Sequence, residues 1–109
     1  MDARVGIRGE LTAPVDLIIK DKSCLHITKA FLDGGTLTSY VTSACKAPSG
    51  YWELRWRAVA PDGTIIASGY NNTAYLTELD PGETTEHTDN LPDNERISKV
   101  IVWTLDHPR

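Results

Sequence analysis

Apolar and polar residues alternate without interruption between Trp52 and Ala58, and this run constrains the fold more than any other part of the sequence. The apolar members of the run are Trp52, Leu54, Trp56 and Ala58, and the polar members are Glu53, Arg55 and Arg57. Successive side chains of a strand point to opposite faces of its sheet. The run therefore predicts a strand with one face in the hydrophobic core and the other face in water.

Shorter segments of the same kind are separated by turn residues along the rest of the chain. Residues 5–11 alternate in the same way and predict a first strand, whereas residues 96–105 are apolar on both faces and predict a last strand in the centre of a sheet. The Pro-Asp-Gly sequence at 61–63 predicts a turn, because proline presets φ and glycine accepts a positive φ. The strand over 52–58 is then expected to form a hairpin with a strand over 64–70.

Turn signals at 71–73 and 80–82 bound a further short strand, which we predict over 74–79. Several short strands with turns at this spacing are typical of a β-sandwich. The chain of 109 residues is therefore expected to form one domain over residues 1–109. The predicted fold is all-β, an immunoglobulin-like antiparallel β-sandwich of about seven to nine strands.

Both cysteines fall on a predicted long hairpin. Two glycines at 34–35, set between apolar runs, are typical of a two-residue hairpin loop, which we prefer to a helix in the same segment. Such a loop pairs Asp33 with Thr36. Counting back along both strands then brings Cys24 opposite Cys45 at a non-hydrogen-bonded pair, where Cα atoms lie closest. We predict a disulfide between them, and two buried free thiols are the alternative in a reducing compartment.

Charge and hydropathy restrict the partners and the location. The formal net charge is −4 at pH 7 and no basic patch is visible, so nucleic acid is not an expected partner. The longest apolar runs, at 17–19 and 100–103, fall far short of the roughly 20 residues that span a bilayer, and no transmembrane segment is predicted. The first residues lack the profile of a secretory signal. Two locations stay open: the cytoplasm or a virus particle, and a secreted or cell-envelope location if a leader has been removed.

The sequence contains no recognisable catalytic or metal-binding motif. Neither a C-x-x-C nor an H-E-x-x-H spacing is present, so we predict no metal and no other cofactor. The hairpin count places His26 opposite Ser43, but no acidic residue is positioned by the sequence to orient the imidazole. We therefore expect that the chain is not an enzyme.

Acidic residues without any intervening Lys or Arg are concentrated in the stretch 78–95. Oxygen-rich loops at the end of a sandwich can hold calcium. The candidate calcium ligands are Glu78, Asp80, Glu83 and Glu86. The alternative is a solvated acidic rim, because the spacing of an EF-hand loop is missing.

Aromatic residues supply the candidate binding surface. Trp52 and Trp56 belong to the predicted core. Tyr51 lies on the face opposite Trp52. Tyr70 and Tyr75 flank the next turn, so these three tyrosines are the predicted binding aromatics. A patch of this kind suits a docked peptide or a stacked sugar ring.

The amphipathic strand at 52–57 is followed by Asp-Gly-Thr-Ile-Ile at 62–66 and by Leu-Asp-Pro-Gly-Glu at 79–83. In this order the motifs resemble the FxLYD group of bacterial immunoglobulin-like domains, over about a third of the chain. The resemblance implies an extracellular or envelope-associated module without catalytic activity. It implies no catalytic residue and does not extend to the two cysteines.

These observations favour a non-catalytic interaction or structural module that acts by protein–protein contact. The partner is expected to be another protein or a second copy of the chain, on a cell, fibre or virus-particle surface. A carbohydrate- or calcium-binding module is one alternative. A small enzyme that uses His26 or the acidic stretch is the other.

Overall fold

A computed structural model of the chain describes residues 15–71, 74 and 77–106. The described residues form seven strands: β1 (Asp16–Ile19), β2 (Leu25–Asp33), β3 (Thr36–Ser43), β4 (Glu53–Val59), β5 (Ile65–Tyr70), β6 (Thr84–Asn90) and β7 (Lys99–Leu105). The predicted all-β sandwich of seven to nine strands is confirmed. The first strand predicted over 5–11 lies outside the described residues.

Two sheets make up the sandwich. The four-stranded sheet has the order β1-β7-β4-β5, and the three-stranded sheet has the order β2-β3-β6. Strands β1 and β7 pair in parallel, and the other strand pairs are antiparallel. The prediction that the last strand is central is confirmed, since β7 lies between β1 and β4. The described residues contain no helix with the length and hydrophobicity that a membrane crossing requires.

The inward face of β4 fills the space between the sheets. The four apolar residues of the alternating run are all buried: Trp52, Leu54, Trp56 and Ala58. They pack in one cluster with residues of β7, β2 and β3, among them Val100, Val102, Leu25, Leu37 and Val41. The predicted division of β4 into a core face and a solvated face is therefore confirmed. Its hairpin with β5 turns at Gly63, whose φ is 91°.

The hairpin of β2 and β3 follows the predicted register only near its turn. Pairing runs without a break from Asp33 opposite Thr36 as far as Lys29 opposite Tyr40. A bulge at residue 28 then shifts the register, because the bulged strand carries one residue more than its partner. His26 consequently lies opposite Thr42, and its predicted position opposite Ser43 is wrong.

The predicted disulfide between Cys24 and Cys45 is confirmed, with Cα atoms 5.0 Å apart. After the bulge, the backbone partner of Cys24 is Ala44, whose N–H donates to the Cys24 carbonyl at 2.9 Å. The cysteines are thus diagonal neighbours, and their Cα separation still lies within the range that a disulfide tolerates. A bond across this loop of about twenty residues stabilises the fold by about 3 kcal/mol, chiefly by restricting the unfolded chain.

The region after β5 differs from the prediction. Of the described residues in the range 74–79, none lies in a strand, and Leu79 forms only an isolated bridge with Ser49. A strand not predicted from the sequence, β6, instead follows at Thr84–Asn90. Its inward residues are Thr85, His87 and Asp89. They are polar, so the strand has no hydrophobic alternation by which it can be recognised.

Removing the Trp56 side chain tests the packing of β4. The indole lies against β5 so closely that a Cβ added to Gly69 would stand 2.9 Å from its Cζ2 atom. We expect Trp56→Ala to lower the free energy of unfolding by about 3–5 kcal/mol in urea denaturation, because it empties a buried site of a large ring. The control is Trp103→Ala, which removes an equal ring from the outer side of the sheet and should cost less. A loss below about 1 kcal/mol for Trp56→Ala would contradict the packing described.

Candidate functional site

A shallow groove of about 290 Å³ lies on the outer side of the four-stranded sheet. The residues that line this outer groove are Arg55, Trp56, Arg57, Ser68, Gly69, Tyr70 and Trp103. They come from β4, β5 and β7, the three neighbouring strands of that sheet. The groove therefore combines aromatic rings and guanidinium groups on a hydrogen-bonded floor.

Strand alternation and register together place these side chains. Arg55 and Arg57 point outward because the residues between and beside them are buried. Arg55 pairs with Trp103 on β7 and with Tyr70 on β5. An aromatic, a cationic and a second aromatic side chain thus form one row across three strands. Neighbouring strands lie about 4.8 Å apart, so a single extended segment can contact all three.

Positive charge surrounds the Trp103 ring. The Lys22 ammonium lies 5.2 Å from the ring centroid and the Arg57 guanidinium lies 5.7 Å from it. Both distances are within the range of a cation–π interaction. Arg55 Nε donates to Glu53 Oε1 at 2.5 Å. The described charged residues that line the groove, or that make one of these contacts with a lining residue, are Lys22, Arg55, Arg57 and Glu53. Three cations therefore accompany one carboxylate.

The chemistry of the groove suits a ligand with carboxylates and apolar surface. A guanidinium group binds a carboxylate through two parallel hydrogen bonds. Tryptophan, tyrosine and arginine are also the residues that most often dominate the binding energy of protein interfaces. A sugar ring is less well matched, because the Lys22 and Arg57 cations lie over the Trp103 ring on which it would stack.

The structure places the predicted binding aromatics differently with respect to the outer groove. Tyr70 lies in the outer groove and is 52% exposed. Tyr51 is also exposed but does not line the groove. Tyr75 lies outside the described residues. Trp103 was expected in a central strand that is apolar on both faces, yet it is only partly buried and lines the groove at its β7 side. The available signal was that Trp103 has the opposite parity to the buried Val100 and Val102.

The candidate calcium ligands are spread over a turn and a strand. Glu83 accepts a hydrogen bond at 2.8 Å from the backbone N–H of Asp80 and closes a turn. Glu86 lies on β6, where it accepts the Tyr40 hydroxyl at 2.9 Å and thereby raises the pKa of Tyr40. Glu78 is exposed. Within the described residues, no three of these four carboxylates converge at ligand distance. Calcium binding by them stays a prediction.

His26 contacts a carboxylate and not a nucleophile. Its Nδ1 lies 2.7 Å from Asp21 Oδ1 in an exposed ion-pair geometry. Ser43 is buried, and its Oγ accepts a hydrogen bond from the Cys45 N–H at 3.2 Å. The His-Ser contact on which a small enzyme was considered is therefore not formed.

A second histidine is buried between the sheets. His87 is 4% exposed, its ring packs edge-to-face on Trp52 with centroids 5.6 Å apart, and its Nε2 lies 3.1 Å from Thr85 Oγ1. Its Nδ1 and the Oγ of the cross-strand Ser39 have no hydrogen-bond partner among the described residues. Burial lowers the pKa of His87, although the neighbouring Glu86 charge opposes the shift. Because His87 is buried, we expect it to affect the stability of the fold and not to contact a ligand bound at the surface.

Searches against protein-family models, curated proteins and solved structures found no significant match to the chain. The resemblance of residues 52–83 to FxLYD domains therefore stays a prediction. Function is inferred from the chemistry of the outer groove itself.

The buried histidine makes stability depend on pH. The unfolded imidazole has its ordinary pKa of about 6.5, and the folded pKa is lower. The stability conferred by the neutral imidazole is therefore complete above about pH 6.5 and is lost as the pH falls below that value. We expect the melting temperature to fall between about pH 7.5 and about pH 5.5, and His87→Gln to reduce this fall.

A substitution that leaves His26 and His87 in place supplies the control for this measurement. Phe31→Ala, on β2 of the same sheet, should retain the pH dependence of the wild type. Asp89 has the opposite effect on the pH dependence of stability. Burial raises the pKa of Asp89, so its protonation favours the folded state at more acidic pH. Measurements should therefore stay above about pH 5.5. An equal fall of melting temperature in the wild type and His87→Gln would contradict the assignment.

Proposed function

We propose that the chain is a non-catalytic interaction module that binds an acidic segment of a partner protein in its outer groove. The observation that supports this function is the row of Trp103, Arg55 and Tyr70 across three strands, with Arg57 beside it. The row combines large apolar contacts with charge-assisted hydrogen-bond donors on one exposed surface.

The floor of the groove is held in position before any partner binds. Strand β4 is hydrogen-bonded to β7 on one side and to β5 on the other. On the inner side of the sheet, the Trp56 ring is 7% exposed and packs against Gly69, which holds β4 against β5. The cation–π contacts of Lys22 and Arg57 further restrict the Trp103 ring. Side chains that are already ordered lose less conformational entropy when a ligand binds, which favours affinity.

Charge complementarity selects an acidic partner. The chain as a whole carries a formal charge of −4, but three of the four charged side chains that line the groove or contact its lining residues, Lys22, Arg55 and Arg57 against Glu53, are cationic. A carboxylate of the partner that reaches Arg57 gains a charge-assisted pair beside the aromatic surface of Trp103. A basic or uncharged segment gains no such pair. Binding of this kind weakens as salt is added, because exposed charges are screened.

The test uses a labelled peptide in which glutamate alternates with leucine, and the same peptide with glutamine in place of glutamate. We expect the glutamate peptide to bind the chain more tightly than the glutamine peptide in fluorescence anisotropy. Arg57→Ala and Trp103→Ala should each weaken this binding by about tenfold or more, as expected for central interface residues. Added salt should weaken the binding of the glutamate peptide further.

Two control variants separate the groove from general effects of charge and surface. Arg96→Ala removes an exposed arginine outside the groove, and Phe31→Ala removes an exposed ring from the other sheet. Both should bind the glutamate peptide as the wild type does. Equal affinity for both peptides, or equal losses in Arg57→Ala and Arg96→Ala, would rule out the proposed surface.

Light scattering on the chain alone identifies one special partner. If the wild type self-associates and Arg57→Ala does not, the acidic segment belongs to a second copy, and the stretch 78–95 is the candidate. If the wild type is monomeric, the partner is another protein.

A further inference from the structure

A carboxylate lies against the disulfide at the end of the sandwich. Asp106 Oδ2 is 3.7 Å from Cys24 Sγ and 3.8 Å from Cys45 Sγ. The sulfurs of a disulfide carry no hydrogen, so neither contact is a hydrogen bond while the bond is intact. The three ligand atoms are the only such set of three in the described part of the chain that lies within 4.8 Å.

These distances are close to those of a tetrahedral zinc site. Zinc binds sulfur at about 2.3 Å and a carboxylate oxygen at about 2.0 Å, so tetrahedral angles place sulfur and oxygen ligands about 3.5 Å apart and two sulfur ligands about 3.8 Å apart. The two sulfur-to-oxygen distances already agree with this geometry to within a few tenths of an ångström. Only the two sulfurs must separate, which requires that the disulfide be broken.

We infer that reduction of the disulfide converts this cluster into a zinc-binding site. The ligands are the Sγ atoms of Cys24 and Cys45 and the Oδ2 atom of Asp106, with water in the fourth position. Two thiolates favour zinc over calcium or magnesium, which prefer oxygen ligands. The inference does not depend on the outer groove, which contains none of these residues.

A dithiol serves as the two-electron reductant. One thiolate of the reductant attacks the Sγ of Cys24, the more exposed of the two cysteines, and releases Cys45 as a thiolate that takes up a proton. The second thiol of the reductant then displaces Cys24, which is protonated in turn. The dithiol leaves as a disulfide after supplying two electrons and two protons. Zinc binding afterwards releases both thiol protons to water, because thiolates are the ligands.

The three ligand residues lie next to strands of both sheets. Cys24 precedes β2 and Cys45 follows β3, whereas Asp106 follows β7 in the other sheet. Thr104 Oγ1 donates to the Leu25 carbonyl at 2.5 Å and fixes the end of β7 against β2. Ser49 Oγ donates toward Cys45 Sγ at 3.5 Å and can stabilise its thiolate. A bound zinc ion would thus join the two sheets, whereas the disulfide joins only the strands of one hairpin.

The experiment compares zinc binding by the oxidised and reduced chain. The protein is reduced with a dithiol, freed of reductant without oxygen, and titrated with zinc against a chromophoric chelator. We expect about one zinc ion per reduced chain and none per oxidised chain. Cobalt used as a probe should give the sulfur charge-transfer and visible bands of a tetrahedral thiolate site.

Asp106→Asn tests the third ligand, and Asp33→Asn is the matched control at the far end of the hairpin. In the reduced chain, Asp106→Asn should weaken zinc binding by about tenfold or more and change the visible cobalt bands. Asp33→Asn should alter neither. If the reduced chain unfolds, zinc should restore its near-ultraviolet circular dichroism, and less so in Asp106→Asn. Zinc binding that is equal in oxidised and reduced chains, or equal in both variants, would overturn the site.

Discussion

The burial of one face of β4 between two sheets is the interaction on which the rest of the structure depends. Trp52, Leu54 and Trp56 project into the core, and the strand is paired on both sides, with β7 and with β5. Burying large side chains of this type contributes about 1.5–3 kcal/mol each. Because successive side chains of a strand point to opposite faces, burial of this face places Arg55 and Arg57 on the outer side of the sheet. The same interaction therefore forms the core and the floor of the outer groove.

Strand β7 links the outer groove with the disulfide. Because side chains alternate along β7, Trp103 points outward and contacts the cations of the groove. Thr104 points inward, and its hydroxyl donates to the Leu25 carbonyl. Asp106, two residues further on, then reaches the sulfurs of the disulfide. One strand thus positions residues for two separate sites, and each site depends on the pairing of β7 with β4.

Strand β6 contributes polar groups to the interior of the sandwich. Strand β6 turns Thr85, His87 and Asp89 inward, and burial shifts the pKa of His87 down and that of Asp89 up. Both shifts have the same cause, because a charge is less stable away from water. Asn71 partly compensates by donating to the Asp89 carboxylate at 3.1 Å. The interior therefore gives the fold a dependence on pH that a wholly apolar core would lack.

The sequence by itself determined the features that arise from neighbouring residues. Alternation over 52–58 defined a strand and its buried face, and the Pro-Asp-Gly turn at 61–63 defined its hairpin. The two glycines at 34–35 set the register near their turn. The disulfide prediction named the right cysteines, although the bulge at residue 28 made the assumed register wrong beyond it.

Only the tertiary structure decided features that join distant parts of the chain. Strand β6 is stabilised by pairing with β3 and carries no apolar alternation of its own, so its polar sequence could not reveal it. Trp103 became part of the outer groove because pairing with β4 set it beside Arg55. Asp106 met the cysteines because the two sheets pack together at that end. Periodicity fixes which face a residue occupies within a strand, but packing between strands fixes what lies next to it.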